Sequence, residues 1–127
     1  MSAVLTLDTA EGVRQLEERF GDRVHAEPDG AGGAYVTVAD IELGDRWNVP
    51  VASLSFHLPY NYPAAALYPF YLPGGTEPID SWPSALQLVQ WRGIPVIQVS
   101  LRHTNWHPAH DSAVGSVLQV QSWLRSL

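Results

Sequence analysis

Three of the five histidines, His103, His107 and His110, lie close together near the end of the chain. If residues 102–111 were helical, His103 and His107 would share one face, as pairs of metal ligands often do. Pro108 disfavours this helix because proline restricts the backbone of the residue before it. The pattern therefore favours a loop whose histidines cap the following helix or bind the backbone. A metal site formed by the three histidines is the alternative.

The same segment contains the residue types of a nucleophilic triad. His110 and Asp111 are adjacent, and Ser112 or Ser100 could supply a hydroxyl nucleophile. The sequence has neither a nucleophile elbow nor an oxyanion-hole signature beside these residues. It therefore does not favour a hydrolase.

The composition excludes several kinds of chemistry. The chain has no cysteine, which excludes disulfides, thiolate catalysis and cysteine metal sites, and no lysine, which excludes Schiff bases. Its net charge is −6 and its seven arginines are scattered, so we expect neither a nucleic-acid nor an anionic-membrane partner. With neither a membrane-spanning apolar run nor a signal-peptide pattern, we expect a cytoplasmic protein without cofactors.

The apolar periodicity predicts a helix at each end of the chain. The first begins near Asp8, with Asp8 or Thr9 as its N-cap, and ends at Gly21. The second follows a cap at Asp111 or Ser112 and runs to the C-terminus. The predicted apolar faces contain, in turn, Val13, Leu16 and Phe20, and Val114, Val117, Leu118, Val120, Trp123, Leu124 and Leu127.

The middle of the chain predicts strands joined by turns. β-branched and aromatic residues favour strands over 23–27, 35–43, 49–58, 67–72 and 94–101. Residues 84–90 fit a short strand or a helical turn. At 127 residues the chain predicts one α+β domain, 1–127. We expect an N-terminal helix, a four-stranded antiparallel meander, a Tyr/Pro loop and a C-terminal helix packed on the sheet.

The segment from Pro59 to Pro73 is rich in proline and tyrosine, and we interpret it as an ordered loop. Exposed aromatic side chains often mark interfaces, whereas rings that cover a sheet edge are part of the core margin. Both interpretations remain open. The candidate binding residues are Tyr60, Tyr62, Tyr68 and Tyr71, with Trp47 from an earlier turn as a second choice.

Two segments together resemble the ubiquitin-conjugating-enzyme family. In that family the third strand leads into a Tyr-Pro step followed by further prolines, as in residues 56–63 and at Tyr68-Pro69. The family's active segment has a glycine, then Ile-Cys-Leu, then a Trp-x-Pro step. Here Gly93 precedes residues 97–99 (IQV), and Trp106 begins the Trp-x-Pro step eight residues after Gln98.

The departures from the family pattern concern catalysis. Gln98 occupies the position of the cysteine nucleophile, and residues 88–90 (LVQ) occupy that of the His-Pro-Asn step, whose asparagine supports the oxyanion in the family. The chain also lacks the family's final two helices. The resemblance therefore implies a catalytically silent variant, or a divergent member of the bacterial families found in ubiquitin-like conjugation operons.

This resemblance implies a non-catalytic binding module. It would hold a ubiquitin-like protein or a catalytic partner, such as a conjugating or activating enzyme, and its acidic surface would suit a basic partner face. The enzyme alternatives are a serine oxyester at Ser100, with His103 or His107 as base, and a histidine-metal hydrolase. In a strand, Gln98 and Ser100 would point to the same side of the sheet.

Overall fold

A computed structural model describes residues 4–127 of the chain. It has one helix at each end, a short 3₁₀ turn at Gly21–Arg23 and six strands between the helices. In order these elements are α1 (Leu7–Phe20), β1 (Val24–Pro28), β2 (Ala34–Glu42), β3 (Val51–Leu58), β4 (Phe70–Pro73), β5 (Leu86–Trp91), β6 (Ile94–Val99) and α2 (Ala113–Arg125). The predicted α+β class and the two terminal helices are confirmed.

All six strands form one antiparallel sheet in the order β1-β2-β3-β4-β6-β5. The first four follow chain order, and β6 adds the β5–β6 hairpin to the side of β4. The sheet therefore has six strands rather than the four predicted. Residues 84–90 contribute most of β5 because a two-residue turn at Arg92 and Gly93, both with positive φ, pairs that strand with β6.

Both helices contact β2, and α1 also packs against α2, so the core lies between the helices and one face of the sheet. Alternate residues of the strands point into this core, as period-two patterning requires. The predicted apolar faces of α1 and α2 are confirmed by their burial. The largest fully buried side chains include Leu16, Ile41, Leu43, Leu54, Phe56, Leu58, Phe70, Leu72, Ile97 and Leu124.

The helix caps differ in part from those predicted. Thr6, not Asp8 or Thr9, caps α1, and its Oγ1 accepts a hydrogen bond from the Thr9 backbone N–H at 3.3 Å. Asp8 lies in the first turn instead, where it suits the helix dipole. Ser112 caps α2 as predicted and accepts from the Gly115 N–H at 3.2 Å.

The turn between β1 and β2 depends on one carboxylate. Asp29 Oδ1 accepts hydrogen bonds from the N–H groups of Ala31 (2.7 Å) and Gly33 (3.0 Å), and Asp29 Oδ2 lies 2.7 Å from His57 Nε2. Burial raises the pKa of the Asp29 carboxyl, but the hydrogen bonds from His57 and the two backbone groups outweigh it and lower that pKa. The ionised form is therefore the one that stabilises the turn.

We expect the Asp29→Asn variant to unfold more easily at neutral pH, by about 1 kcal/mol, because it loses the charge-assisted part of these hydrogen bonds. A lowered folded-state pKa means that the contribution is present above the unfolded pKa of about 3.9 and is lost as pH falls through the folded-state value. Urea unfolding measured from pH 2.5 to 7 tests this. As the pH falls, the free energy of unfolding should decrease less steeply for Asp29→Asn than for the wild type. Asp45→Asn, an exposed acid, is the control. The prediction would be contradicted if acidification lowered the free energy of unfolding equally in the wild type and in Asp29→Asn.

Neither helix within residues 4–127 has the length and apolar character needed to cross a bilayer.

Candidate binding site

The Tyr/Pro loop, the Trp-x-Pro loop and the start of α2 are joined by direct contacts. Trp106 Nε1 donates a hydrogen bond to the Pro63 carbonyl at 2.8 Å. The backbone N–H of Ala113, the first residue of α2, donates to the Tyr62 hydroxyl at 2.8 Å. The two segments that carry the family resemblance therefore form one structural unit.

The histidine segment forms a loop rather than a helix, as predicted. His103 Nδ1 lies 2.9 Å from the Thr104 carbonyl oxygen, and His103 Nε2 lies 3.4 Å from Asp111 Oδ1. Asp111 Oδ2 accepts from the His107 backbone N–H at 2.7 Å, so this carboxylate holds the loop together. The His107 and His110 rings lie 4.5 Å apart. Within the described residues no three His, Asp or Glu side chains are grouped to hold a metal ion.

The serine candidates do not meet a catalytic base. Gln98 Nε2 donates a hydrogen bond to Ser100 Oγ at 2.9 Å, which confirms that the two side chains lie on the same side. Ser112 is occupied as the N-cap of α2. Among residues 4–127, no histidine hydrogen-bonds either hydroxyl, so the chain does not assemble a triad around Ser100 or Ser112.

Gln98 lies within the sheet rather than in an open loop. Its registered neighbours are Tyr71 on β4 and Gln87 on β5, and Tyr71 in turn is paired with Ser55 on β3. These four side chains form a row on the face of the sheet that points away from the helices, which we call the outer face. The half-buried amide of Gln98 is therefore part of a polar stripe across the sheet.

Two of the predicted binding residues are parts of the fold. Trp47 is only 4% exposed, and its Nε1 donates to the Leu124 carbonyl at 2.9 Å. Tyr62 is 6% exposed and accepts the hydrogen bond from Ala113. Neither ring is available at the surface, because both bind the backbone of α2 from inside the core.

The other three predicted tyrosines lie at different places. Tyr60 is the most exposed, at 63%, and borders the β1–β2 turn at Gly32. Tyr68 is 37% exposed, with the guanidinium of Arg102 at 4.0 Å from its ring centre. Tyr71 is buried at the outer face, where burial, and then the nearby Tyr68 hydroxyl, raise its pKa. The three tyrosines therefore have different neighbours.

The outer face also has an aromatic cluster that the sequence analysis missed. The Trp91 ring stacks on Tyr71 with centroids 4.2 Å apart and meets the edge of Tyr35 at 6.0 Å. Arg92 covers the Tyr35 ring at 3.8 Å. These contacts require the β5–β6 turn to fold back over β2, although three strands separate β5 from β2 in the sheet.

Strand alternation could have placed Tyr35 on the outer face, since Tyr35 and Thr37 alternate with the buried Val36 and Val38 before the register shift in β2. The closure of the hairpin over it has no local sequence signal.

Comparison of the chain with protein-family models, with curated proteins and with solved structures found no match.

Proposed function

We propose that the chain is a non-catalytic module that resembles ubiquitin-conjugating enzymes. It would hold a ubiquitin-like protein, or a catalytic partner of the same pathway, for transfer by another subunit in a bacterial conjugation system. The α+β layering and the chain-order meander of β1 to β4 support this interpretation. So does the direct hydrogen bond that joins the Trp-x-Pro loop to the Tyr/Pro loop.

The hydrogen bond between Gln98 and Ser100 is the observation that carries the proposal. At the position where the family has its nucleophile, this chain has an amide that cannot attack a carbonyl. Its amide nitrogen donates to the nearest hydroxyl, at 2.9 Å. An acyl-transfer enzyme needs a nucleophile that is activated by a base or a lowered pKa. Ser100 has no such base among the described residues, and this supports binding rather than acyl transfer as the function.

The exposed Tyr68–Arg102 pair is the binding surface that we propose. It lies next to Tyr71, the registered neighbour of Gln98, and so flanks the position where a family member would carry its cargo. Tyrosine and arginine are the residue types that dominate interface energies because they combine apolar area with hydrogen bonding. Tyr60 offers a second exposed ring, beside the β1–β2 turn.

We expect Tyr68→Ala to weaken binding of a ubiquitin-like protein encoded near this gene by at least about tenfold, because truncating an interface hot spot costs about 2 kcal/mol. The measurement is an NMR or calorimetric titration of the wild type and the variant. Val51→Ala truncates an apolar side chain that is 41% exposed, close to the 37% of Tyr68, and should leave the affinity unchanged. Absence of wild-type binding at about 100 µM would contradict the proposal, because most specific complexes are far tighter.

A further inference from the structure

A groove opens on the outer face of the sheet, beneath the folded-back hairpin. Its volume is about 340 Å³. Thr37, Ser55 and Tyr71 lie along the strands that form it, and Trp91 and Arg92 from the hairpin line its side. This volume falls at the small end of the range for small-molecule sites, about 300–1,000 Å³. A ligand with a single ring or two fused rings matches that size.

The apolar lining of the groove suits a flat ligand. Tyr71 and Trp91 are stacked with only 17° between their planes, so they form a rigid aromatic surface. Ile94, which is 60% exposed, and Val96 add aliphatic contacts. Rings that stack or meet edge to face gain about 0.5–1.5 kcal/mol beyond the burial of their area.

The hydroxyl groups in the groove have unused hydrogen-bonding capacity. The Tyr71 side chain is 9% exposed, and its hydroxyl makes no hydrogen bond to a described residue. Thr37 Oγ1 and Ser55 Oγ lie 2.9 Å apart and share one hydrogen bond, which leaves one of their two hydroxyl protons unused. None of the described residues that line the groove carries a carboxylate. Hydroxyl groups with a free proton beside an apolar wall favour a ligand that accepts hydrogen bonds.

The charge at the groove is already neutralised. Arg92 is the charged residue that lines it, and Arg92 Nη2 contacts Glu27 Oε1 at 2.6 Å while the guanidinium covers Tyr35. An anionic ligand would have to compete with Glu27 for the guanidinium. A neutral ligand leaves this ion pair intact.

We infer that the outer-face groove binds a small, neutral, planar heteroaromatic ligand that accepts a hydrogen bond from Tyr71. The ring stacks against the Tyr71–Trp91 wall, and the Thr37–Ser55 pair supplies a second donor. The groove adjoins the proposed protein-binding surface at Tyr71, but neither Tyr68 nor Arg102 lines it. Ligand binding in the groove can be tested without a ubiquitin-like partner, so its outcome does not depend on the proposed function.

Quinoline and naphthalene are the test probes, because they have the same shape and only quinoline has a ring nitrogen that accepts hydrogen bonds. In protein NMR titrations, quinoline should shift the amide signals of Ser55, Tyr71 and Val96 with a Kd below about 1 mM. Tyr71→Phe removes only the hydroxyl, which has no partner within the described fold. We expect it to weaken quinoline about fivefold, the effect of one hydrogen bond, and to leave naphthalene-induced shifts within twofold of the wild type.

Tyr60→Phe is the matched control, since it removes a tyrosine hydroxyl that is not part of the groove lining, and it should not change quinoline binding. Quinoline shifts outside the groove, or none, would overturn the inference. Equal quinoline affinity for wild type and Tyr71→Phe would overturn it as well, because the acceptor would then have no role.

Discussion

Trp47→Ala is expected to lower the free energy of unfolding by about 3–5 kcal/mol, which is the usual cost of removing a buried aromatic ring. The indole is 4% exposed, and its N–H binds the Leu124 carbonyl near the C-terminus of α2. Carbonyls in the last turn of a helix have no partner within the helix, so this hydrogen bond also anchors the end of α2. Guanidinium unfolding followed by circular dichroism measures the change.

Two variants separate the parts of this effect. Trp47→Phe retains an apolar ring but leaves the Leu124 carbonyl unpaired, and we expect a loss of about 1–3 kcal/mol. Trp82→Ala removes an indole that is 40% exposed and should change the free energy by less than about 0.5 kcal/mol. If Trp47→Ala were as mild as Trp82→Ala, the placement of Trp47 in the core would be wrong.

Tyr62→Ala is expected to destabilise the fold by about 3–5 kcal/mol as well. The ring is packed so closely against α1 that a Cβ added at Gly12 would lie 2.8 Å from Tyr62 Cε2. Truncation would also leave the Ala113 N–H, at the start of α2, without its acceptor. Thermal or guanidinium unfolding is the measurement, and Tyr60→Ala, on the 63% exposed ring, is the control.

The buried phenol of Tyr62 should also make the stability of the fold depend on pH in the alkaline range. Burial raises the pKa of its phenol, although the hydrogen bond from Ala113 partly opposes this effect. A raised folded-state pKa means that the contribution to stability is complete below the unfolded value of about 10 and is lost as pH rises through the folded-state value. Tyr62→Phe should therefore be less stable at pH 7 but lose less stability above about pH 10. If the free energy of unfolding fell equally with rising pH in Tyr62→Phe and in the wild type, this role of the Tyr62 phenol would be contradicted.

Local patterns were sufficient to predict the helices and most strands. The three- and four-residue spacing of Val13, Leu16 and Phe20 required one buried helical face, and the structure buries that face. Ser112 could be identified as a cap from its position before an apolar run. By contrast, the choice of Thr6 over Asp8 depends on Thr6 Oγ1, which also hydrogen-bonds the Tyr60 carbonyl from a distant segment.

The candidate sites were harder to predict because their geometry is tertiary. Tyr62 and Tyr68 have similar neighbours in the sequence, yet one binds the start of α2 in the core and the other lies beside Arg102 at the surface. Proline-rich segments give no periodicity from which the direction of each ring can be inferred. The groove was missed for the same reason, since it forms only where Trp91 folds back over Tyr35.

We propose that this chain binds its partner without catalysing transfer. Intact-mass spectrometry tests it most directly, after incubation of the full chain with an activating enzyme, ATP and the ubiquitin-like protein. We predict an unchanged mass, because Gln98 cannot form an ester and Ser100 lacks a base among the described residues. A hydroxylamine-labile adduct that disappears in Ser100→Ala would contradict the claim and identify the chain as a serine-dependent acyl-transfer enzyme.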